Sequence, residues 1–333
     1  MREEIKLWQF AAERLKRGES VILLVVAESE GSSPGREGFK MIVARDELAG
    51  SIGGGVMEVA LVEQAREVLR RSEAQTKNKK KAEENFSKLS EQVHRKNSLN
   101  SSGMICSGRQ TVVFFKLSPA HLKTVRKIIS SLRKNRSEIL QISASEIRLA
   151  NLSENFNFRF SSENGEFLYE EKLGYKNRLF IVGGGHCALA LSELMSKLDF
   201  YISLFDDRKD LNTLIKNRFA HEKRIIESYE KIGEFIPSGE DVYVVVMTLG
   251  YRFDEIVIKK LLGKDFRYFG VLGSRAKMAT LLRGLKEQGF DAERLKRIRT
   301  PIGLPINSRT PAEIAVSIAA EIIAVKNDAQ ALI

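Results

Sequence analysis

The chain has 333 residues, a formal net charge of +11 at pH 7, 43% hydrophobic residues and 29% charged residues. That length suffices for two domains, and the composition is ordinary for a soluble globular protein. No apolar run approaches the roughly 20 residues of a membrane helix, and the N-terminus Met1-Arg2-Glu3-Glu4 has acids where a signal peptide would not, so we expect a cytoplasmic protein with no membrane partner.

The basic balance raises nucleic acid as a partner, because a clustered basic face binds phosphate backbones. The lysines and arginines are instead spread along the chain, with the densest run at residues 77–81. No recognised nucleic-acid motif accompanies them. We therefore interpret the charge as a solvated basic surface rather than a nucleic-acid site.

The first half of the chain alternates helix and strand patterns. Residues 3–17 carry a broad apolar stripe at helical spacing, and residues 21–26 form the bulky apolar run of a buried strand. A helix is predicted after a glycine run, to about residue 70. The further predictions are strands at 40–44, 110–117, 138–142, 156–160 and 166–170, and a helix from 118 to about 134.

The glycine run is Gly53-Gly54-Gly55, just before a predicted helix. Backbone amides in that position can form an anion-binding nest, which the helix dipole reinforces. A tight strand-to-helix turn explains the same glycines. Glu58 in the first helical turn either caps free amides or bonds a ligand. The candidate site in this region comprises Ser51, the three glycines and Glu58.

Residues 71–102 are polar and rich in lysine, which predicts an insert with little core. Cys106 follows at the entrance to a strand, in the motif Met104-Ile105-Cys106-Ser107-Gly108. A thiol there can be presented to a ligand, and a buried inert cysteine is the alternative. The other cysteine is Cys187. The two have no metal-binding spacing, so each is interpreted as a thiol and no metal site is predicted.

The second half opens with an apolar run at residues 178–182 that breaks into glycines and then reads as a helix. Gly183, Gly185 and Ala188 have G-x-G-x-x-A spacing, which allows a tight turn, approach to a phosphate and close packing of the helix. The next strand, residues 201–205, ends at Asp206. An acid about 20 positions beyond the glycines is where ribose hydroxyls are usually held.

Alternating strands and helices continue to the end of the chain, with strands predicted at residues 224–228, 241–248 and 267–272. This pattern is typical of a parallel sheet, and ligands bind beyond the carboxyl ends of its strands. His186, Ser274 and Arg275 occupy such positions. Arg275 would pair with a phosphate or carboxylate, or form a surface ion pair. A capping box from Thr310 to Glu313 starts the last helix.

A simple hydride-transfer enzyme needs a positioned acid or base near its substrate. Of the four histidines, only His186 lies in a predicted ligand loop, where loop packing explains it equally well. No serine or cysteine triad and no paired-carboxylate signature is present in the sequence. These patterns favour a protein that holds a nucleotide-like or phosphate-bearing molecule over one that transforms it.

In their order along the chain, these motifs resemble the XdhC/CoxI family of molybdenum-enzyme accessory proteins. The match runs over nearly the whole chain. The similar segments are residues 31–34, 40–43, 50–58, 104–108, 183–186, 206–208, 273–277, 301–304 and 309–315.

The resemblance implies an α/β protein with an N-terminal XdhC/CoxI-type domain, residues 1–173, that includes the polar insert near 71–102. A Rossmann-like domain with a parallel sheet follows, residues 174–333. The implied function is that of a chaperone, rather than an enzyme, that binds molybdenum cofactor (molybdopterin). It would protect the cofactor during sulfuration and pass it to a xanthine dehydrogenase-like apoenzyme.

The implied partners are that apoenzyme and a cysteine desulfurase or other sulfur donor, and a second copy of the chain is a further candidate. The alternative function is an NAD(P)-dependent oxidoreductase that uses the Gly183 loop and Asp206. Two positions depart from the family pattern. Val56 stands where members often have cysteine, and Thr248-Leu249-Gly250-Tyr251 stands where many have Thr-His-Asp-His. A thiol role therefore falls on Cys106.

Overall fold

The computed structural model describes residues 1–77, 86–94, 108–136, 138–151 and 156–327. The chain divides into two compact units, Met1–Gly174 and Tyr175–Ile333. Each unit combines helices with sheets, which confirms the predicted α/β class. None of the helices in these described ranges is long and apolar enough to cross a membrane.

The first unit begins with an antiparallel five-stranded sheet and two helices. Their bounds are α1 (Arg2–Lys16), β1 (Val21–Gly31), β2 (Lys40–Val43), β3 (Leu48–Gly50), α2 (Gly55–Lys77), β4 (Ser87–His94) and β5 (Gly108–Leu117). The strand order is β3-β2-β1-β5-β4. On β1, Leu23 faces the core that holds Trp8 of α1, while Leu24 faces the core that holds Leu61 of α2. The central strand is thus buried on both faces, as its continuous apolar run predicts.

A smaller antiparallel sheet completes the first unit. A short 3-10 turn (Pro119–His121) and the helix α3 (Leu122–Arg133) precede the sheet. Its strands are β6 (Glu138–Ser143), β7 (Ile147–Asn151), β8 (Phe158–Glu163) and β9 (Glu166–Lys172). The strand order is β7-β6-β9-β8. Leu140 and Tyr169 of this sheet share one core with Trp8 and with Ile128 of α3. The two sheets and the helices α1 and α3 therefore bury a common set of side chains.

Strands β3, β4 and β7 of this unit were not predicted from the sequence. The polar sequence of β4, inside the predicted insert, has no apolar alternation, and the strand exists because its backbone pairs with β5 from Ser87 opposite Phe115 to His94 opposite Gly108. Helix α2 also continues beyond the predicted end, to Lys77. Pairing along an edge satisfies the backbone whatever the side chains are, so composition did not reveal it.

The second unit is the predicted parallel sheet flanked by helices. Its elements are β10 (Asn177–Val182), α4 (His186–Met195), β11 (Phe200–Asp206), α5 (Asn212–Lys216), β12 (Glu222–Ile225), α6 (Ile232–Phe235), β13 (Gly239–Val246), α7 (Tyr251–Leu261), β14 (Phe266–Val271), α8 (Arg275–Glu287), α9 (Ala292–Lys296) and α10 (Pro311–Asn327). All neighbouring strands are parallel, in the order β12-β11-β10-β13-β14. The chain runs outward from β10 and then returns to β13, so the topological switch point lies where those two strands end.

Two local predictions for this unit can be checked directly. The capping box of α10 is confirmed, since Thr310 Oγ1 accepts the Glu313 amide at 3.2 Å while Glu313 Oε2 accepts the Thr310 amide at 3.0 Å. The strand β12 begins two residues before its predicted start and ends at Ile225. Its boundary is set by pairing with β11 from Ser203 to Asp206, which is a long-range contact.

A buried ionic cluster joins the two sheets of the first unit. Lys40 of β2 places Nζ 2.6 Å from Glu171 Oε2 of β9 and 3.1 Å from Glu4 Oε1 of α1. The Lys40 and Glu171 side chains are only 5% and 3% exposed. Tyr169 donates to the same Glu171 oxygen at 3.0 Å. Burial alone would lower the pKa of Lys40, but the carboxylates of Glu171 and Glu4 raise it overall, so the pair is ionised.

We predict that Lys40→Met lowers the free energy of unfolding of the first unit by about 3–5 kcal/mol, because it leaves the Glu171 charge buried without its partner. Trp8 is the only tryptophan in the sequence and is fully buried in this unit, so its fluorescence during urea titration is the measurement. The control is Lys6→Met, which removes an exposed pair with Glu3 and should change stability by less than about 1 kcal/mol. Equal effects of the two substitutions would contradict the prediction.

Candidate functional site

The predicted glycine nest exists in the first unit, between β3 and α2. Gly53, Gly54 and Gly55 all have left-handed backbone angles, with φ of +125°, +79° and +75°. A Cβ on Gly53 would also lie 2.4 Å from the Gly35 nitrogen, so this residue has to be glycine for steric reasons as well. The consecutive positive φ angles turn several amides toward one point.

That point is occupied by the protein's own carboxylate. Glu58 Oε2 accepts hydrogen bonds from Ser51 Oγ at 2.7 Å, from the Ile52 amide at 2.8 Å and from the Gly54 amide at 2.9 Å. Burial raises the pKa of Glu58, but these hydrogen bonds lower it overall. Of the two roles that the sequence left open, the structure therefore shows the cap. An external anion has to displace Glu58 to reach these amides.

Gln110 of β5 holds the nest against the loop that follows β1, and sequence reasoning missed it. Its fully buried side chain accepts from Ser33 Oγ at 2.6 Å and from the Gly35 amide at 3.3 Å, and its Nε2 lies 3.3 Å from Met57 Sδ. The available signal was one side-chain amide just before the apolar run of β5, residues 112–115. Gln110 makes the loop, the nest and the start of α2 a single packed structure.

Only one of the two cysteines lies among the described residues. Cys106 lies outside the described residues, so its role stays a prediction. Cys187 is half-buried in the first turn of α4, where burial raises the pKa of its thiol. A raised pKa keeps the thiol protonated at neutral pH and makes it a poor nucleophile. Cys187 is therefore a packing residue.

The Gly183 loop lies at the switch point of the parallel sheet. Gly183 has φ +108°, and a Cβ on it would lie 2.2 Å from the Met247 carbonyl oxygen, so the loop crosses directly against the end of β13. A Cβ on Gly185 would meet no described atom within 4 Å, which leaves open space in front of it. His186 is exposed and begins α4. The N-cap residue of this helix is Gly185, which has no side chain to accept a hydrogen bond from the first amides of α4.

Asp206, the predicted ribose acceptor, is fully buried and bonded by the protein itself. Its Oδ2 accepts from the Gly184 amide at 2.7 Å and from Arg208 Nη2 at 2.8 Å, and its Oδ1 accepts from Arg208 Nε at 2.8 Å and the Arg208 amide at 2.9 Å. Burial raises the pKa of Asp206, but the bonds from Arg208 and Gly184 lower it overall. Ribose hydroxyls could reach these oxygens only by displacing Arg208.

This arrangement gives Arg208 a place in the site that the sequence did not assign to it. Because Arg208 and the Gly184 amide bind the same Asp206 oxygen, the guanidinium lies next to the loop that starts α4. Its side chain is 35% exposed. The corner thus places a partly exposed guanidinium, paired with Asp206, beside the start of a helix, where the helix dipole favours an anion.

The remaining predicted positions surround the same edge of the sheet. After β13, Thr248 donates to Asp254 Oδ1 at 2.6 Å, and burial raises the pKa of that carboxyl against the hydrogen bonds from Thr248. Leu249, in the place of a family histidine, is 73% exposed. After β14, Ser274 caps α8, and Arg275 is exposed with no ion pair to any described residue. No three His, Cys, Asp or Glu side chains within the described ranges form a metal-binding group.

The structure therefore groups the predicted residues in two places. Ser51, Gly53, Gly54, Gly55 and Glu58 form the closed nest of the first unit. The second group lies along the carboxyl edge of the parallel sheet and comprises Gly183, Gly185, His186, Asp206, Ser274 and Arg275.

We predict that Glu58→Gln lowers the free energy of unfolding of the first unit at pH 7 by about 1 kcal/mol, comparable to the loss of a helix cap. The folded-state pKa of Glu58 is lowered, so its contribution is complete above the ordinary glutamate value of about 4.3 and is lost as the pH falls through the folded value. The difference in free energy of unfolding between wild type and variant should become smaller from pH 5 to pH 3. Trp8 fluorescence during urea titration measures it.

The control for this prediction is Glu63→Gln, on the exposed side of the same helix, where the carboxylate pairs only with neighbouring arginines. It should change stability by less than about 0.5 kcal/mol at either pH. A gap for Glu58→Gln that is constant with pH would show that the carboxylate charge does not stabilise the nest.

Comparison with known proteins supports the same assignment of the two units. A family model described as the XdhC Rossmann domain matches residues 179–322, and one described as the XdhC and CoxI family matches residues 14–78. The fold is similar to the crystal structure of a xanthine dehydrogenase from Bacillus halodurans, with a TM-score of 0.67 and 20% identity over 99% of this chain and 97% of that one. At that identity the likeness shows the fold alone.

Two curated proteins are similar over about half of the chain. An uncharacterized protein, YqeB, of Escherichia coli (strain K12) is 33% identical over 159 residues, which is 47% of this chain and 28% of that protein. A probable xanthine dehydrogenase subunit of Bacillus subtilis (strain 168) is 28% identical over 158 residues, or 47% and 45% of the two chains. This chain thus spans less than half the length of either relative. The ordered motifs, the fold and the two family models together show that the chain belongs to the XdhC/CoxI family.

Proposed function

We propose that this protein is an accessory factor that binds molybdenum cofactor and supports its sulfuration and insertion into a xanthine dehydrogenase-like enzyme. The observation that carries the proposal is the corner where Arg208 meets the start of α4. Membership in the family supports the client, and the name of the Bacillus subtilis relative agrees with it.

The chemistry of this corner fits the anionic part of such a cofactor. Amides at Gly185 and His186 lie at the positive end of a helix, and the neighbouring Arg208 guanidinium, whose Nε and Nη2 bond Asp206, offers its remaining N–H donors. Open space in front of Gly185 admits a ligand. A phosphate or pyrophosphate tail would be held by these groups. When bound, the cofactor supplies a molybdenum centre with sulfur ligands, while the protein residues bind and orient it.

The first unit would have a different role, since Glu58 already fills its glycine nest. We propose Cys106 as the thiol that acts near the cofactor, because the other cysteine is a packing residue with a raised pKa. Sulfur and molybdenum are a matched soft pair, which is the chemical reason to look for a thiol. A sulfur donor and a xanthine dehydrogenase-like apoenzyme are the proposed partners.

The alternative function is an NADP-dependent oxidoreductase. One observation favours it, namely that an arginine beside the ribose position is how such folds accommodate a 2′-phosphate. The saturated Asp206 argues against NAD, because its oxygens are already occupied by Arg208 and Gly184. The two functions therefore give Arg208 different roles, namely binding the anionic tail of molybdenum cofactor or binding the 2′-phosphate of NADP.

We predict that the purified protein retains molybdenum cofactor under anaerobic conditions and that Arg208→Ala weakens retention about tenfold, the loss expected for one charge-assisted hydrogen-bonding group. Co-elution of molybdenum with the fluorescence of the oxidised pterin is the measurement. Arg297→Ala is the control, since Arg297 is exposed and pairs only with Asp265, which precedes β14 at the opposite edge of the sheet. A wild-type protein with no affinity for the cofactor would refute the proposal.

Parallel calorimetric titrations with NAD and NADP discriminate the alternative. The chaperone proposal expects the cofactor to bind more tightly than either dinucleotide. An oxidoreductase would bind one dinucleotide in the micromolar range, and Arg208→Ala would then weaken NADP or, by releasing Asp206, strengthen NAD. Either result would replace the chaperone function with the enzymatic one.

For the thiol, we predict that Cys106→Ala reduces sulfuration of the bound cofactor, or its retention, while Cys187→Ala has no effect on either. The physical reason is that only a thiol with access to the ligand and an appreciable thiolate fraction can take the outer sulfur of the donor's persulfide, releasing the donor's thiolate, and hold that sulfur next to the cofactor. Activity transferred to an apo molybdenum hydroxylase, together with the sulfide content of the cofactor, measures the effect. If both variants behave as wild type, the thiol role fails while cofactor binding stands.

A further inference from the structure

A groove between α1 and α3 of the first unit contains none of the predicted site residues. It has a volume of about 480 Å³. Helix α1 contributes Glu13 and Ala12, and α3 with its last turn contributes Arg126, Arg133 and Lys134. The floor is apolar where Ile129 packs into the core. This surface combines a concave shape with a strongly positive wall.

The helix that forms the positive wall, α3, contains no acidic residue. Residues 122–136 include no aspartate or glutamate, and six cations there are exposed: Lys123, Arg126, Lys127, Arg133, Lys134 and Arg136. None of the six forms an ion pair with any residue that the structure describes. On α2, by contrast, Arg66, Arg70 and Arg71 all lie within 4 Å of Glu63 or Glu67.

Unpaired like charges on adjacent turns of one helix destabilise that helix. Lys123 and Lys127 are such a pair, four residues apart. Like charges that the fold leaves without partners are complementary to an acidic surface. Glu13 is the one acid among the residues that line the groove.

We propose that this groove is a docking surface for an acidic polypeptide segment of a protein partner. The groove is concave and has an apolar floor, so it accepts an extended segment with alternating acidic and apolar side chains. Its lining residues include no aromatic ring on which nucleic-acid bases could stack. The exposed positions of α3 carry no large apolar side chain that would enter a membrane. The surface lies outside the cofactor corner, so this inference goes beyond the proposed function.

The test is fluorescence anisotropy with the full-length protein in about 50 mM salt, where surface charges are only weakly screened. The probe is a labelled twelve-residue peptide in which glutamate and leucine alternate. Arg126→Glu/Arg133→Glu should raise the Kd at least about tenfold, because attraction becomes repulsion at two points. Arg126→Gln/Arg133→Gln should have a smaller effect, and Glu13→Gln should tighten binding about twofold to threefold.

The matched control is Arg283→Glu/Lys286→Glu on α8, two exposed cations that form no ion pair within the described ranges and whose reversal changes the net charge equally. It should alter the Kd less than about twofold, since these charges lie outside the groove. Trp8 fluorescence during urea titration verifies that the variants of the first unit are folded, and circular dichroism during the same titration verifies it for the α8 variant. Equal weakening by both charge reversals, or no measurable peptide binding by the wild type, would overturn the proposal.

Two further probes test the choice of occupant. A single-stranded oligonucleotide and anionic lipid vesicles, each matched to the peptide in charge concentration, are titrated with the same variants. The proposal expects the peptide to bind more tightly than either and to be the probe most affected by Arg126→Glu/Arg133→Glu. Tighter binding of the oligonucleotide or the vesicles, lost in that variant, would assign the groove to a different partner.

Discussion

The fold of the first unit depends on the pairing of one buried charge, the ammonium group of Lys40. Lys40 is buried, and its ammonium group is stabilised by Glu171 and Glu4, which lie within 3.1 Å, and by the Gly38 carbonyl oxygen at 3.1 Å. These contacts join β2, β9 and α1, which belong to different layers. The carbonyl oxygen of Lys40 also accepts the Ser51 amide at 3.1 Å. The residue that joins the two sheets thus fixes the beginning of the glycine nest.

In both glycine loops a carboxylate of the protein itself accepts hydrogen bonds from the backbone amides. Glu58 bonds three groups around Gly54, and Asp206 bonds Gly184. Such amides would otherwise be left unsatisfied or would bind adventitious anions. The loops differ in what remains available. The first is closed, whereas in the second Arg208 and the start of α4 leave positive groups beside open space, which is why the proposed function rests on the second unit.

The net charge of +11 does not say where the surface is positive, because that depends on which cations form ion pairs. Lysines and arginines occur along the entire sequence, and on α2 they are neutralised by glutamates one turn away. On α3 they are not. The sequence analysis correctly found no basic cluster in linear order, but surface charge is decided by which residues share a face and by which acids fold against it. A groove between two helices that are far apart in sequence is invisible to composition.

Features set by local chemistry were predictable from the sequence. The run into Gly183, the helix after it and the capping box of α10 depend on residues within a few positions of one another, so periodicity and glycine spacing revealed them. Features set by distant partners were decided only by the tertiary structure. The strand β4 exists through its pairing with β5, Gln110 binds Ser33 across 77 positions, and Asp206 accepts the Gly184 amide across 22 positions. A buried polar group must find a partner, but the sequence does not say which one, because that choice depends on how the sheets bring remote residues together.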